Sequence, residues 1–122
     1  MKILITDKFD QGALEYLKTD KFEVLYQPEV TPKELIEIVA DKDALIVRGR
    51  TQITGEIIEK SLKLKLIARA GSGTDNIDKS AAKERKIAVI NAPGANAQAV
   101  AEHTVGLMLS LNVQLQAKEE PL

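Results

Sequence analysis

Along the chain, short β-branched and leucine-rich runs alternate with stretches whose apolar positions recur at helical spacing. The first run is Lys2-Ile3-Leu4-Ile5-Thr6, after which Leu14 and Leu17 fall on one helical face and Glu15 and Lys18 on another. The second run, Phe22 to Tyr26, leads into Thr31-Pro32-Lys33-Glu34. That tetrad predicts a helix start: Thr31 caps, Pro32 takes the first helical position, and Glu34 reaches back to close a capping box. Leu35, Ile36, Ile38 and Val39 give this helix its buried face. The third run, Ala44-Leu45-Ile46-Val47, is apolar throughout, as a strand covered on both faces must be. Thr54 caps a third helix with Ile57 and Ile58 inward. A fourth run, Leu64 to Ala68, precedes a short helix capped by Asp78 and carrying Ala81, Ala82 and Arg85. The fifth run, Ile87 to Ile90, ends in the turn Asn91-Ala92-Pro93-Gly94-Ala95. A long helix from Asn96 to Ala117 follows, and residues 118–122 read as a fraying tail, because Glu119 and Glu120 oppose the helix dipole and Pro121 stops further helix.

Five strand–helix units in strict alternation imply a parallel sheet with right-handed crossovers. The expected fold is α/β, a three-layer, doubly wound, five-stranded flavodoxin-like domain over residues 1–117, with strand order 2-1-3-4-5. The chain's 122 residues fit one domain with a real core. It has no cysteine, which excludes disulfides, thiolate metal sites and cysteine nucleophiles, and a single histidine, His103. A formal net charge of −1 with 3% aromatic residues argues against nucleic acid as a partner. No apolar run reaches the roughly 20 residues of a membrane span, and Met1 to Thr6 does not resemble a signal peptide, so the expected compartment is the cytoplasm.

In such a sheet, ligands bind beyond the carboxyl ends of the strands. Three loops there stand out: Arg48-Gly49-Arg50-Thr51, Arg69-Ala70-Gly71-Ser72-Gly73-Thr74-Asp75-Asn76, and Asn91 to Asn96. Together they offer cations, glycine-exposed backbone N–H groups and a helix N-terminus, three devices for holding an anion. Each has a plain alternative: solvated arginines, glycines serving a tight turn, and Asn96 as an ordinary cap. Gly71 to Asn76 is not a dinucleotide fingerprint, because Asn76 replaces the third glycine and the segment follows the fourth strand. Glu102 and His103 are helix neighbours about 100° apart and do not form an acid–base pair. No nucleophile–base set and no metal-ligand set is visible.

The segment Leu66 to Asp78 resembles the "RAGxGxDNID" signature of D-2-hydroxyacid dehydrogenases. Ala44 to Thr51 resembles that family's "LIVRSxT" strand and loop, with Gly49 in place of the serine, and Asn91 to Leu109 resembles its "NxPxxNxxxVAEHTxGLML" stretch. The branch most similar is the one that oxidises 3-phosphoglycerate in serine biosynthesis. The resemblance implies the substrate-binding lobe of an NAD-dependent oxidoreductase. The cofactor domain, with its GxGxxG and the Arg, Glu and His that handle the substrate carboxylate and the proton, is expected outside these residues. By itself the lobe is expected to bind no cofactor, to be inactive, and to bind a small anionic hydroxy acid weakly. Carried over, the roles give Arg48 and Arg50 the distal anionic end of the substrate, and Ala70, Gly71, Ser72 and Gly73 the carboxylate. Asn96 approaches the substrate or nicotinamide edge, and Val100 and Glu102 lie near the hinge. Leu107, Leu111 and Leu115 are expected to leave apolar surface on the last helix, favouring a homodimer. The competing reading is a stand-alone flavodoxin-like anion-binding or structural module. A phosphoacceptor receiver is excluded because Arg48 and Asn91 occupy its Asp and Lys positions. A flavin protein is disfavoured because Thr6 to Asp10 lacks a phosphate loop.

Overall fold

The computed structural model describes residues 1–19 and 21–119, with side chains described only to Leu111 within the last helix. The elements alternate as expected: β1 (Lys2–Ile5), α1 (Gln11–Leu17), β2 (Glu23–Tyr26), α2 (Pro32–Ile38), β3 (Ala44–Val47), α3 (Gly55–Lys60), β4 (Leu66–Arg69), α4 (Lys79–Glu84), β5 (Ala88–Asn91) and α5 (Ala97–Glu119). All pairings are parallel and the order is β2-β1-β3-β4-β5.

The all-apolar central strands work as their sequence demands. Ile3, Ile5, Ala44, Ile46, Leu66 and Ala68 face one side and pack with Leu14 and Leu17 of α1 and Val100, Ala101 and Met108 of α5. Leu4, Leu45, Val47 and Ile67 face the other side and pack with Leu35, Ile57, Ile58 and Ala82 from α2, α3 and α4. The result is three layers, with two helices on one face and three on the other.

The caps hold in detail. Thr31 accepts from the Glu34 N–H while Glu34 accepts from the Thr31 N–H, completing the capping box. Thr54, Asp78 and Asn96 cap α3, α4 and α5, and Asp10 caps α1. Three strand starts shift. Ile87 is not in β5, because its N–H bonds to the Ala82 carbonyl and closes the end of α4. Phe22 makes an isolated bridge with Thr19 ahead of β2, and Leu64 lies ahead of β4 while remaining in the core. At the other end, α5 continues through Lys118 and Glu119, part of the expected tail; an opposed carboxylate is worth only about 0.3–1 kcal/mol, too little to stop a helix. Residues 120–122 lie outside the described residues.

The last helix bears on a second expectation. Leu107 and Leu111 are partly covered: with Val105 and Leu109 they are half-buried against the α1–α5 face of the sheet. The inward stripe Val100, Ala101, Thr104 and Met108 is buried, while Glu102, His103, Gly106 and Ser110 are exposed. Leu115 falls outside the described side chains. Among the described residues, no helix is long and apolar enough to cross a membrane.

Candidate functional site

The site grows from the way β3 and β4 separate. Their ladder runs to Val47↔Arg69, opens, and closes again at an isolated bridge between Ile53 and Ile77. The Ile53 N–H bonds to the Asn76 carbonyl at 2.8 Å, and the Asp78 N–H to the Ile53 carbonyl at 2.9 Å. Residues 48–52 and 70–76 are therefore pinned at both ends and stand out from the carboxyl edge of the sheet. The third contributor is the turn 92–96, which delivers the N-terminus of α5 to the same edge.

These loops and the β1–α1 turn enclose a cleft of about 310 Å³. It is lined by Lys8, Asp10, Arg48, Ala70, Gly71 and Asn96, with Phe9, Ala95 and Ala97 completing the wall. Arg48 is exposed, and its Nη1 makes a single long bond, 3.5 Å, to the Lys8 carbonyl. Asn96 accepts from the Ala99 N–H at 2.8 Å. That cap is neutral and no acid follows in the first turn, so the positive end of the α5 dipole is left unneutralised. Elsewhere the first turns carry carboxylates: Asp10 caps α1, Asp78 caps α4, and Glu34 and Glu56 sit in α2 and α3. The cleft thus combines two cationic side chains, an accessible helix N-terminus and the Gly71 turn, with Asp10 turned onto its own helix at 3.1 Å from the Ala13 nitrogen.

The residues expected at the site do not all meet here. Arg48, Ala70, Gly71 and Asn96 do. Arg50 does not: its Nε bonds to Asp7 Oδ1 at 2.9 Å, its Nη1 to the Val30 carbonyl at 3.1 Å, and its Nη2 to the Thr6 carbonyl. Its guanidinium is engaged in holding the scaffold and lines a neighbouring hollow with Pro28 and Glu29, which Lys8 and Arg48 also border, so the two arginines share that second hollow. Ser72 and Gly73 border a further hollow with Arg69, Gln52 and Asp75. Val100 is buried in the core, 1% exposed, while Glu102 lies on the exposed side of α5.

Two contributors escape a reading of the loops as strings of residues. Arg69 lies across both loops; its Nε bonds to Asn76 Oδ1 at 3.1 Å and its Nη1 to the Ala70 carbonyl at 3.2 Å. A Cβ on Gly71 would collide with this guanidinium, and one on Gly49 would stand 3.2 Å from Arg69 Nη2. Gly49 thereby lets the arginine pass close to the backbone, where a larger residue would crowd it. Asp7 is the other. A carboxylate directly behind an apolar strand was the available signal.

Neither the turn after β1 nor the Gly71 turn fits the phosphates of a dinucleotide. The turn after β1 contains no glycine, and the helices behind it and behind the Gly71 turn have their N-termini occupied by the carboxylates of Asp10 and Asp78. A pyrophosphate at either place would meet a like charge. Among the described residues, no group of three or more acidic or histidine side chains is placed to hold a metal ion.

A five-stranded doubly wound sheet with these loops at its carboxyl edge defines a class, and the chain belongs to it: the catalytic domain of the D-isomer specific 2-hydroxyacid dehydrogenases matches residues 3–120. Within that family the chain is similar to the D-3-phosphoglycerate dehydrogenase of Methanocaldococcus jannaschii, with 47% identity over 110 residues that make up 90% of this chain and 21% of that enzyme. It is also similar to the hydroxypyruvate reductase of Thermotoga maritima, 41% identical over 109 residues, 89% of this chain and 36% of that one. Among solved structures, the NAD+-bound 3-phosphoglycerate dehydrogenase of Entamoeba histolytica has a TM-score of 0.69 and 37% identity, over 88% of this chain and 38% of its own. The chain spans about a fifth of the length of the first of these relatives and just over a third of the second.

Proposed function

We propose that these residues form the substrate-binding part of an NAD-dependent dehydrogenase acting on a D-2-hydroxy acid with a second anionic group, 3-phosphoglycerate or a close analogue, at the entry to serine biosynthesis. The observation that carries this reading is the single cleft in which Arg48 and Lys8 meet the Gly71 turn and the N-terminus of α5. A side-chain cation and a set of backbone N–H groups are different anion-binding devices, suited to different ends of one ligand. In the reaction a hydride passes between C2 of the acid and a nicotinamide; these residues contribute orientation and charge, and the acid–base group and cofactor site come from elsewhere in such an enzyme. The 122 residues alone are then expected to show no turnover and no micromolar affinity for NAD. With only part of the enclosing surface, they should bind the acid at about millimolar strength or weaker.

Titration with D-3-phosphoglycerate, followed by backbone amide shifts, tests the reading. Saturable shifts confined to residues 48–51, 70–76 and 94–98 are expected, with D-glycerate shifting the same residues more weakly. A titration that leaves all three segments unmoved removes the anion site and favours a structural module. Saturable NAD binding at micromolar concentration by calorimetry overturns the assignment of the cofactor site to other residues.

A further inference from the structure

The three arginines at the carboxyl edge of the sheet are all tied, directly or through their backbone, to two buried side chains. Asp7 is 3% exposed and Asn76 is 8% exposed. The Arg48 N–H donates to Asp7 Oδ2 at 2.6 Å, and Asn76 Nδ2 donates to the Arg48 carbonyl at 2.6 Å. Both peptide groups flanking the Arg48 Cα are therefore gripped, from opposite sides. The remaining oxygen of each clamp takes another arginine: Asp7 Oδ1 accepts from Arg50 Nε at 2.9 Å, and Asn76 Oδ1 from Arg69 Nε at 3.1 Å. Asn76 Nδ2 also donates to the Thr51 carbonyl at 2.8 Å, and the Thr51 hydroxyl donates to Asp7 Oδ1 at 2.5 Å, which closes the circuit. The orientation of the Asn76 amide follows from the network, because a flipped amide would set its oxygen against two carbonyls and its nitrogen against a guanidinium.

We propose that Asp7 and Asn76 are positioning residues that divide the arginines by task, fixing Arg50 and Arg69 to the scaffold and presenting Arg48 to the ligand. The inference rests on the anion-site reading above and adds to it which residues make that site competent. Burying a carboxylate and a carboxamide at a strand edge is unfavourable unless every polar group finds a partner, and here each is fully engaged. A loop anchored only at Val47 and at the Ile53–Ile77 bridge would leave Arg48 free to swing. The two clamps remove that freedom before a ligand arrives, so the ordering is not charged against binding.

The test uses the 122-residue chain, with Asn76→Ala, Arg48→Met, their combination, and Asp7→Asn as a shape-conserving second variant. Two quantities are read: affinity for D-3-phosphoglycerate, and the order parameters of the amides of residues 48–52 without ligand. Asn76→Ala is expected to weaken binding about fivefold and to lower the order of those amides from about 0.85 towards 0.6. It should have no further effect on affinity in the Arg48→Met background, and Asp7→Asn should repeat the pattern. Unchanged order and affinity in both single variants would overturn the proposal. So would an equal loss with Arg48 already removed, since the residue would then act on the fold at large and not through Arg48. If the wild-type chain shows no shifts with the acid, the functional reading falls, while the ligand-free order parameters still decide whether the clamps hold the loop.

Discussion

Gly71 adopts φ +135°, and a methyl group there would meet the Arg69 guanidinium. Gly71→Ala is expected to lose about 1–3 kcal/mol from the backbone alone and to displace Arg69 Nε from Asn76, visible as a shifted side-chain N–H resonance. Lys86 presents the opposite case. It is the non-glycine residue with positive φ, 58°, among the described residues. Its N–H bonds to the Lys83 carbonyl and that of Ile87 to the Ala82 carbonyl, the paired bonds of a helix end that favours glycine. Lys86→Gly is therefore expected to stabilise the chain by about 0.5–1 kcal/mol, read as a higher denaturant midpoint at unchanged slope. At this scale the caps were readable, because Thr31, Thr54 and Asp78 act on N–H groups three residues away. Asp7 and Asn76 were not, because their partners lie 41 and 28 residues off, and Asn76 in isolation reads only as a missing glycine.

Among the elements, α5 departs most from its sequence expectation. Val105 to Leu111 is apolar around much of the helix, which suggests a surface awaiting a second copy. The sheet and α1 take up part of that surface: Met108 is fully buried, and Leu107, Leu109 and Leu111 flank it, half-buried. Helical periodicity locates a buried stripe but says nothing of how wide a surface the neighbours offer. Met108→Ala should cost about 2–5 kcal/mol, whereas Ser110→Ala, on the exposed face, should stay within about 0.5 kcal/mol. Thermal melts of the two variants give the comparison. Sedimentation at increasing concentration complements it: the half-burial of Leu107 and Leu111 favours a monomer, and a dimer dissociated by Leu111→Lys would show that this packing opens.

For the molecule as a whole, the alternation of elements carried the topology, since each apolar strand needs cover on both faces and each crossover has one hand. The two core clusters share the same strands, so loss of either face exposes the other, and unfolding is expected to be a single transition by circular dichroism and by fluorescence of Tyr16 and Tyr26. At the amino ends of the strands, Asp41 bridges Lys2 and Lys42 at 2.8 and 2.6 Å, and the hydrogen bonds from Lys2 and then Lys42 hold its carboxyl well below the usual range. A depressed carboxylate stabilises above its unfolded value, about 3.9, and the contribution fades as pH falls below that value towards the folded one. Asp41→Asn should accordingly lower stability slightly at neutral pH and flatten the acid limb of a stability–pH curve, the two proteins converging at low pH. The Ile53–Ile77 bridge has a consequence for descent with modification. Because the sheet re-forms on the far side of both excursions, the inserts 48–52 and 70–76 are modular. A grafted version from a relative with another substrate should be accepted without loss of the host fold, provided Asp7, Thr51 and Asn76 travel with it or stay in place. New substrate preference in this scaffold can then arise by exchanging two short inserts, with the architecture beneath them untouched.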